Sequence, residues 1–288
     1  MGCVVVTGAA GNVGREVVRA LRARGIAVRA ADRHPNRLAS LFGGDVEAVA
    51  LDYRDARTFG SVEGAEGLFL LRPPAIADVK DTLLPLVDEA RRRGVRHVVF
   101  LSVAGAETNK LVPHHAVERH LMRGGDWTIL RPGFFAQNFG DAYRRDIVED
   151  SRVYVPAGRG RVTFVDVRDV AEVAALAFAA PSAHERRAYT LTGPEAIDFA
   201  GAAALLCEIL GRPVEYVPAS IGGYLWHLHA RGLPWAQAAV QTILHVGLRF
   251  GQAERIDATL GELLGRRPHT LREYLEDHRA TWKAALGP

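Results

Sequence analysis

A chain of 288 residues, 48% hydrophobic and 24% charged, carries enough apolar side chain for one large core or two smaller ones, which argues against disorder. Its formal net charge of +3 rests on 33 arginines and three lysines scattered without a basic run, so no nucleic-acid partner is expected. Two cysteines cannot make a disulfide framework, no apolar run reaches the roughly 18 to 20 residues of a membrane span, and MGCVVVTG has neither a basic leader nor, with Val6, a myristoylation motif; a cytoplasmic protein with no membrane attachment is expected.

From residue 3 to about 131, short β-branched runs alternate with helix-period segments. In order these are CVVVTG and NVGREVVRALRARG, IAVRAAD and PNRLASLFG, VEAVALD and RDARTFGSV, GLFLLR and IADVKDTLLPLVDEARRRG, VRHVVFLS and PHHAVERHLMRGG, then DWTILRP. Strand and helix in strict alternation predict parallel βαβ units with right-handed crossovers, hence a Rossmann-type doubly wound parallel sheet of the α/β class. After about residue 150 the rhythm changes to short strands such as RVYVPA and AYTLTG among helical segments such as FAGAAALLCEIL and LREYLEDHRATWKAAL. The expected organisation is a dinucleotide-binding domain over residues 1–150, rejoined by a segment near 160–180, and a small helix-rich C-terminal substrate region over 151–288.

VTGAAGNVGREV sets Gly8, Gly11 and Gly14 at the junction of the first strand and first helix. Glycine there permits a sharp turn and lets backbone N–H groups and the helix N-terminus approach a pyrophosphate. Asp32 and Arg33 follow the second strand, where a carboxylate suits the ribose hydroxyls of NAD and a guanidinium suits the 2′-phosphate of NADP. Asp52 and Tyr53, after the third strand, are placed to flank an adenine.

These motifs, together with VRAADRHPNRL, FLSVAGAE, HAVERHL followed by DWTILRPGFFAQN, and YTLTGPEAIDFAGAAALLCEILGRPVEYVP, resemble the atypical short-chain dehydrogenase/reductases of the NmrA-like branch. The resemblance runs almost end to end and is strongest to the NAD(P)H:quinone oxidoreductase and azoreductase-like members. It implies that Gly8, Ala9, Ala10, Gly11, Asn12 and Val13 hold the pyrophosphate and that Arg33 reads the 2′-phosphate. Asp32 stands where the family often has an apolar residue; NADP is expected, with NAD as the alternative. By the same resemblance Leu71, Arg72, Pro73, Ser102 and Val103 border the nicotinamide half, Pro132, Gly133, Phe134 and Phe135 close over it, and Asn138 lies near the substrate cleft.

A typical short-chain dehydrogenase has a Tyr and, four residues on, a Lys in the helix that here begins PHHAVERHL; this chain has neither. His114 and Glu118 stand at i and i+4 on one helix face, while His115 lies about 100° away, so at most one histidine is expected to work. In the catalytic version a histidine paired with Glu118 stays partly protonated and donates to a substrate oxygen. A zinc signature beginning at His115 would need histidine where Arg119 stands, and no metal is expected. Hydride addition to a plain ketone yields a basic alkoxide that wants an acid, whereas addition to a quinone yields a stabilised phenolate. The absent Tyr and Lys therefore point to a small aromatic or quinone-like substrate, with Tyr224, Trp226 and Trp235 as walls of an aromatic pocket. The expected function is an NAD(P)H-dependent reductase delivering hydride to a quinone-like or conjugated aromatic acceptor, as a monomer or homodimer. The alternatives are a non-catalytic dinucleotide-binding redox sensor and a biosynthetic enone or ketone reductase using His114 or His115 as its acid.

Overall fold

The structure, a computed structural model, describes residues 2–283. Strand and helix alternate as β1 (Val4–Thr7), α1 (Asn12–Ala23), β2 (Val28–Asp32), α2 (Pro35–Phe42), β3 (Glu47–Ala50), β4 (Gly67–Leu71), α3 (Leu83–Arg92), β5 (His97–Leu101), α4 (Pro113–Leu121) and β6 (Asp126–Pro132). The chain continues through α5 (Arg144–Glu149), β7 (Arg152–Val155), β8 (Arg161–Val162), α6 (Val167–Ala179), α7 (Pro181–His184), β9 (Arg187–Leu191), β10 (Ile197–Asp198), α8 (Phe199–Leu210), β11 (Glu215–Pro218), α9 (Ile221–Ala230), α10 (Trp235–Gly247), α11 (Thr259–Leu264) and α12 (Leu271–Asp277). Two compact units result. One holds the residues up to Pro132 together with Val167–Leu191, and the other holds Gly133–Asp166 together with the residues from Thr192 onward.

The first unit is built on a seven-stranded sheet in the order β3-β2-β1-β4-β5-β6-β9, with every neighbouring pair parallel. Its central strands are apolar runs because both faces are covered: Val4, Val5 and Val6 of β1 and Leu68, Phe69 and Leu70 of β4 are fully buried. α1 is amphipathic and buries Gly14, Val17, Val18 and Leu21, packing against α6, whose alanines and valines are buried over most of its length. Strand order reverses between β1 and β4, and at such a switch point the crevice outside the strands' carboxyl ends is where open α/β sheets bind ligands.

Three local readings change in the first unit. RDARTFGSV forms a 3₁₀ segment, Ala56–Val62: the Asp55 carboxylate accepts the Arg57 N–H and the Thr58 hydroxyl donates to the Asp55 carbonyl, holding the backbone in a tighter turn. The helix expected from residue 76 starts at Leu83, because Asp78 takes the N–H of Lys80 and folds the chain into a turn first. AYTL, read as part of the C-terminal region, is strand β9, paired in parallel with β6 at the edge of the main sheet. Residues 133–150, expected with the first domain, group with the second unit, while the segment that rejoins the first unit is Val167–Leu191.

The second unit has its own core, in which Phe139, Tyr143, Phe164, Phe199, Leu206, Tyr274 and Trp282 are buried together. Two short ladders, β7 with β11 in parallel and β8 with β10 antiparallel, brace its helices. The helix expected over 271–286 ends at Asp277; a 3₁₀ turn, Arg279–Trp282, follows, and residues 284–286 lie outside the described range.

Candidate dinucleotide site and its surroundings

The three loop glycines answer to different physical demands. Gly8 has φ +60°, and a Cβ there would stand 2.9 Å from the Leu71 side chain. A Cβ on Gly14 would lie 2.3 Å from the Gly8 carbonyl oxygen, so α1 packs on the loop only because that residue has none. At Gly11 a Cβ would meet only the Gly8 oxygen, at 3.3 Å. The chain crowds position 11 far less than position 14, since a shift of a few tenths of an ångström relieves that one contact, and the residue's smallness leaves space in front of the first turn of α1. That turn has N–H groups without intrahelical partners, and the N-cap, Gly11, has no side chain to satisfy them. A cradle of this shape and polarity fits a pyrophosphate. Ala9 and Ala10 are buried beneath the loop, Val13 is half-buried, and the Asn12 side-chain oxygen, Oδ1, accepts from Arg15 Nη2 at 3.1 Å.

The strand ends beside this loop are tied together. The Thr7 hydroxyl donates to the Phe69 carbonyl at 2.9 Å and accepts the Leu71 N–H at 3.1 Å. The Tyr53 hydroxyl donates to the Leu71 carbonyl at 2.7 Å. Tyr53, expected to flank an adenine, is buried in the core of the first unit, with burial raising its pKa; its ring staples β3 to the end of β4. Asp52 turns its carboxylate to the N–H of Arg54 at 3.0 Å. Asp32 does likewise with the N–H of His34 at 3.1 Å, while Arg33 is exposed and has no ion pair among the described residues.

At the ends of β4, β5 and β6 the structure overturns the pairing of His114 with Glu118. Glu118 is buried and accepts from the Ser102 hydroxyl at 2.5 Å and from Arg131 through Nε at 3.0 Å and Nη2 at 2.6 Å. His114 instead receives the Nε–H of Arg72 on its Nε2, at 3.3 Å. Arginine cannot accept a hydrogen bond, so the neutral ring carries its proton on Nδ1, and that atom is buried with no partner among the described residues. Leaving the donor unmet costs about 1 to 3 kcal/mol. Burial, reinforced by the Arg72 charge, pushes the His114 pKa down to about 3. The imidazole is neutral at physiological pH and cannot act as an imidazolium acid. His115 points elsewhere, with Nδ1 on the Ala106 carbonyl at 2.8 Å. The Val103 carbonyl accepts the Ala106 N–H and that of Pro73 the Ile76 N–H, so both shape turns, while the Pro132 carbonyl accepts the Ala104 N–H and ties the end of β6 to the segment after β5. The Ser102, Glu118 and Arg131 clasp escaped the sequence reading; its signal was a charged residue, Arg131, ending the apolar run WTIL.

In the second unit Gly133, Phe134 and Phe135 run beside Val165: Phe134 accepts the Val165 N–H, and Phe135 forms an isolated bridge with Val165. The ring of Phe134 meets that of His245 edge-on at 5.7 Å. Asn138 sits in a 3₁₀ turn, and its carbonyl accepts the Tyr143 N–H. Tyr224 and Trp226 are not joint walls of a pocket. Tyr224 is 2% exposed in the core, whereas Trp226 is 65% exposed and lies against Trp235, because residues two apart on a helix point to different sides.

The family described as NAD(P)H-binding matches residues 8–181. The chain belongs to the NAD(P)H-binding family. The matched span covers the glycine loop, the switch point and the Ser102, Glu118 and Arg131 clasp. An oxidoreductase of Bacillus subtilis, YesF, is 31% identical over 97% of this chain and 96% of its own length. The NAD(P)H azoreductase of Xenophilus azovorans is 30% identical over 98% of this chain and 100% of its own. Among solved structures, the NADPH-dependent quinone oxidoreductase QOR2 of Escherichia coli, complexed with NADPH, superposes with a TM-score of 0.83 at 25% identity, over 96% of this chain and 99% of that one. Among the described residues of this NAD(P)H-binding protein no cluster of three or more His, Cys, Asp or Glu could hold a metal, and no helix is long and apolar enough to cross a membrane.

Proposed function

We propose that this NAD(P)H-dependent oxidoreductase passes hydride to a quinone-like or conjugated aromatic acceptor. The observation that carries the reading is His114. In the helix where a typical short-chain dehydrogenase has its acid, this chain holds a buried imidazole whose pKa is pushed down to about 3. A plain ketone would leave a strongly basic alkoxide with no general acid in this helix to protonate it, whereas a quinone accepts the same electron pair as a stabilised phenolate that solvent can protonate. The quinone oxidoreductase of E. coli and the azoreductase of X. azovorans support this acceptor class.

NADPH is the cofactor we infer, with NADH as the alternative, and it supplies the hydride when bound. Gly8 to Val13 hold its pyrophosphate in this reading. Arg33 meets the 2′-phosphate, supported by its exposed and unpaired guanidinium and by the engagement of the Asp32 carboxylate with its own turn. The test is consumption of NADPH and NADH with a model benzoquinone, an azo dye and a simple aliphatic ketone offered in parallel. Turnover with the quinone or the dye and none with the ketone is expected; ketone turnover at a comparable kcat/KM overturns the reading.

A further inference from the structure

Arg72 is a cation that the fold fixes in place without neutralising it. Its Nε donates to His114, and its Nη1 donates to the carbonyl of Pro73 at 3.2 Å and to that of Ile76. All these partners are uncharged, and among the described residues no carboxylate lies within 4.0 Å of the guanidinium. Arg131, on β6 two strands from β4, shows the other solution: its charge is met by Glu118 in a two-point clasp. A half-buried guanidinium has lost hydration, and with neutral acceptors only it keeps an outward attraction for negative charge. The partner ring preserves that state. An Asp or Glu in place of His114 would hold Arg72 equally well but would cancel its charge, while the neutral imidazole offers a lone pair and nothing more.

We propose that Arg72 receives the negatively charged oxygen that develops on the acceptor, and that His114 is a positioning residue that aims the guanidinium. The proposal rests on the quinone-like acceptor argued above. The hydride that NAD(P)H would supply on becoming NAD(P)⁺, one proton with one electron pair, bonds to one quinone oxygen; the ring becomes aromatic, the other carbonyl oxygen is left as the phenolate, and solvent later gives that oxygen its proton. With Nε held by His114 and Nη1 by backbone carbonyls, the Nη2 N–H groups of Arg72 favour the phenolate over the uncharged quinone, which is stabilisation specific to the reacted state. A dinucleotide phosphate carries the same anionic oxygen chemistry, and the experiment separates the two.

The probe is 4-nitrophenol, whose absorbance distinguishes phenol from phenolate, bound to protein loaded with NADP⁺. Wild type is expected to bind it as the phenolate below the pH at which the free probe ionises. Arg72→Met should lose that shift and weaken phenolate binding by roughly tenfold or more, the range of a charge-assisted hydrogen bond, with NADPH affinity unchanged. Arg72→Lys, which keeps the charge and loses the fork, should fall in the middle. His114→Phe should lose part of the shift and His114→Asn, which restores an acceptor, should regain it. Wild-type probe binding in both Arg72 variants overturns the proposal, and so does a loss confined to NADPH affinity, which makes Arg72 a phosphate holder. Quinone turnover is measured alongside. If Arg72→Met turns over quinone with wild-type constants, the proposal fails and the acceptor reading stands; if wild type ignores quinones yet its phenolate binding depends on Arg72, the acceptor reading fails and the anion site stands.

Discussion

Glu118 gives its carboxylate to Arg131, in a two-point contact at 3.0 and 2.6 Å, and not to His114 one helical turn before it. This fixes α4 to the end of β6 through a charge pair that is mostly out of water. Removing one partner strands the other. Glu118→Ala should therefore cost about 3 to 5 kcal/mol of stability, toward the lower end because Glu107 stands 3.4 Å from the same guanidinium and can take over part of the charge. Urea unfolding of the variant, of Arg131→Met and of the pair together measures the coupling. A loss below about 1 kcal/mol, or strict additivity, would show that the clasp does not hold the helix.

The same pair explains what the sequence could and could not reveal. The alternating elements are legible because buried parallel strands are apolar runs and their helices have one apolar face, both of which are local patterns. The glycine loop is legible because its three glycines fall together at one strand-to-helix junction and Gly14 answers to the Gly8 backbone a few residues before it, although Gly8 itself meets Leu71 on β4. The partner of Glu118 is not local. Spacing along the helix offers His114, but the winning donor comes from Arg131 on a neighbouring strand, and no periodicity encodes that choice. Tyr53 misled for a similar reason, since its hydroxyl reaches Leu71 on β4. Strand β9 has an ordinary strand pattern, but nothing local says that it returns to the first sheet after residues 133–166.

Gly11 and Gly14 should fail in opposite ways. At Gly14 any Cβ collides with the Gly8 backbone, so Gly14→Ala should lower the thermal midpoint and damage binding only as a consequence. At Gly11 a Cβ meets one oxygen, at 3.3 Å, so Gly11→Val should fold with a midpoint much closer to wild type than that of Gly14→Ala and lose dinucleotide affinity, because its branches fill the space before α1. Calorimetry and titration with NADPH on both variants check the contrast. Unchanged NADPH affinity in a folded Gly11→Val protein would remove the cofactor from this loop.

Arg33 should decide between the two dinucleotides. With Asp32 held by the His34 N–H, the guanidinium is the group left to meet a 2′-phosphate. Arg33→Ala should weaken NADPH by about 1.5 to 3 kcal/mol and leave NADH almost unaffected. Fluorescence titration of each cofactor gives the answer. Equal weakening of both, or tighter NADH binding by wild type, would assign the ribose to Asp32 instead.

Acid should destabilise the fold through its buried histidines. Burial pushes His97 and His245 down to about 4 and His114 to about 3, whereas each titrates near 6.5 when unfolded. Between about 6.5 and 4 the unfolded chain binds more protons than the native one, so stability falls as pH falls; above that window these groups exert no slope. His97→Asn lacks one such group and should show a shallower decline. Comparing denaturant unfolding at pH 7 and pH 5, its deficit against wild type should shrink by up to about 2 kcal/mol at the lower pH. A deficit that stays constant would mean that His97 is protonated in the native state.

The last prediction separates proton donation from positioning. His114 is neutral and buried, and His115 holds the Ala106 carbonyl, so neither is set to deliver a proton to the product oxygen. Asparagine at both positions keeps a carbonyl oxygen that can accept from Arg72 and removes every imidazole proton. The double variant, His114→Asn with His115→Asn, should lose less than about tenfold in kcat with a quinone, far short of the ~10²- to 10⁴-fold of a missing general acid. Its pH profile should match that of wild type across neutrality, because a group titrating near 3 has no step there. A hundredfold fall in kcat at unchanged cofactor affinity and thermal midpoint would make one histidine the acid after all, and would return the unactivated carbonyl to the range of substrates.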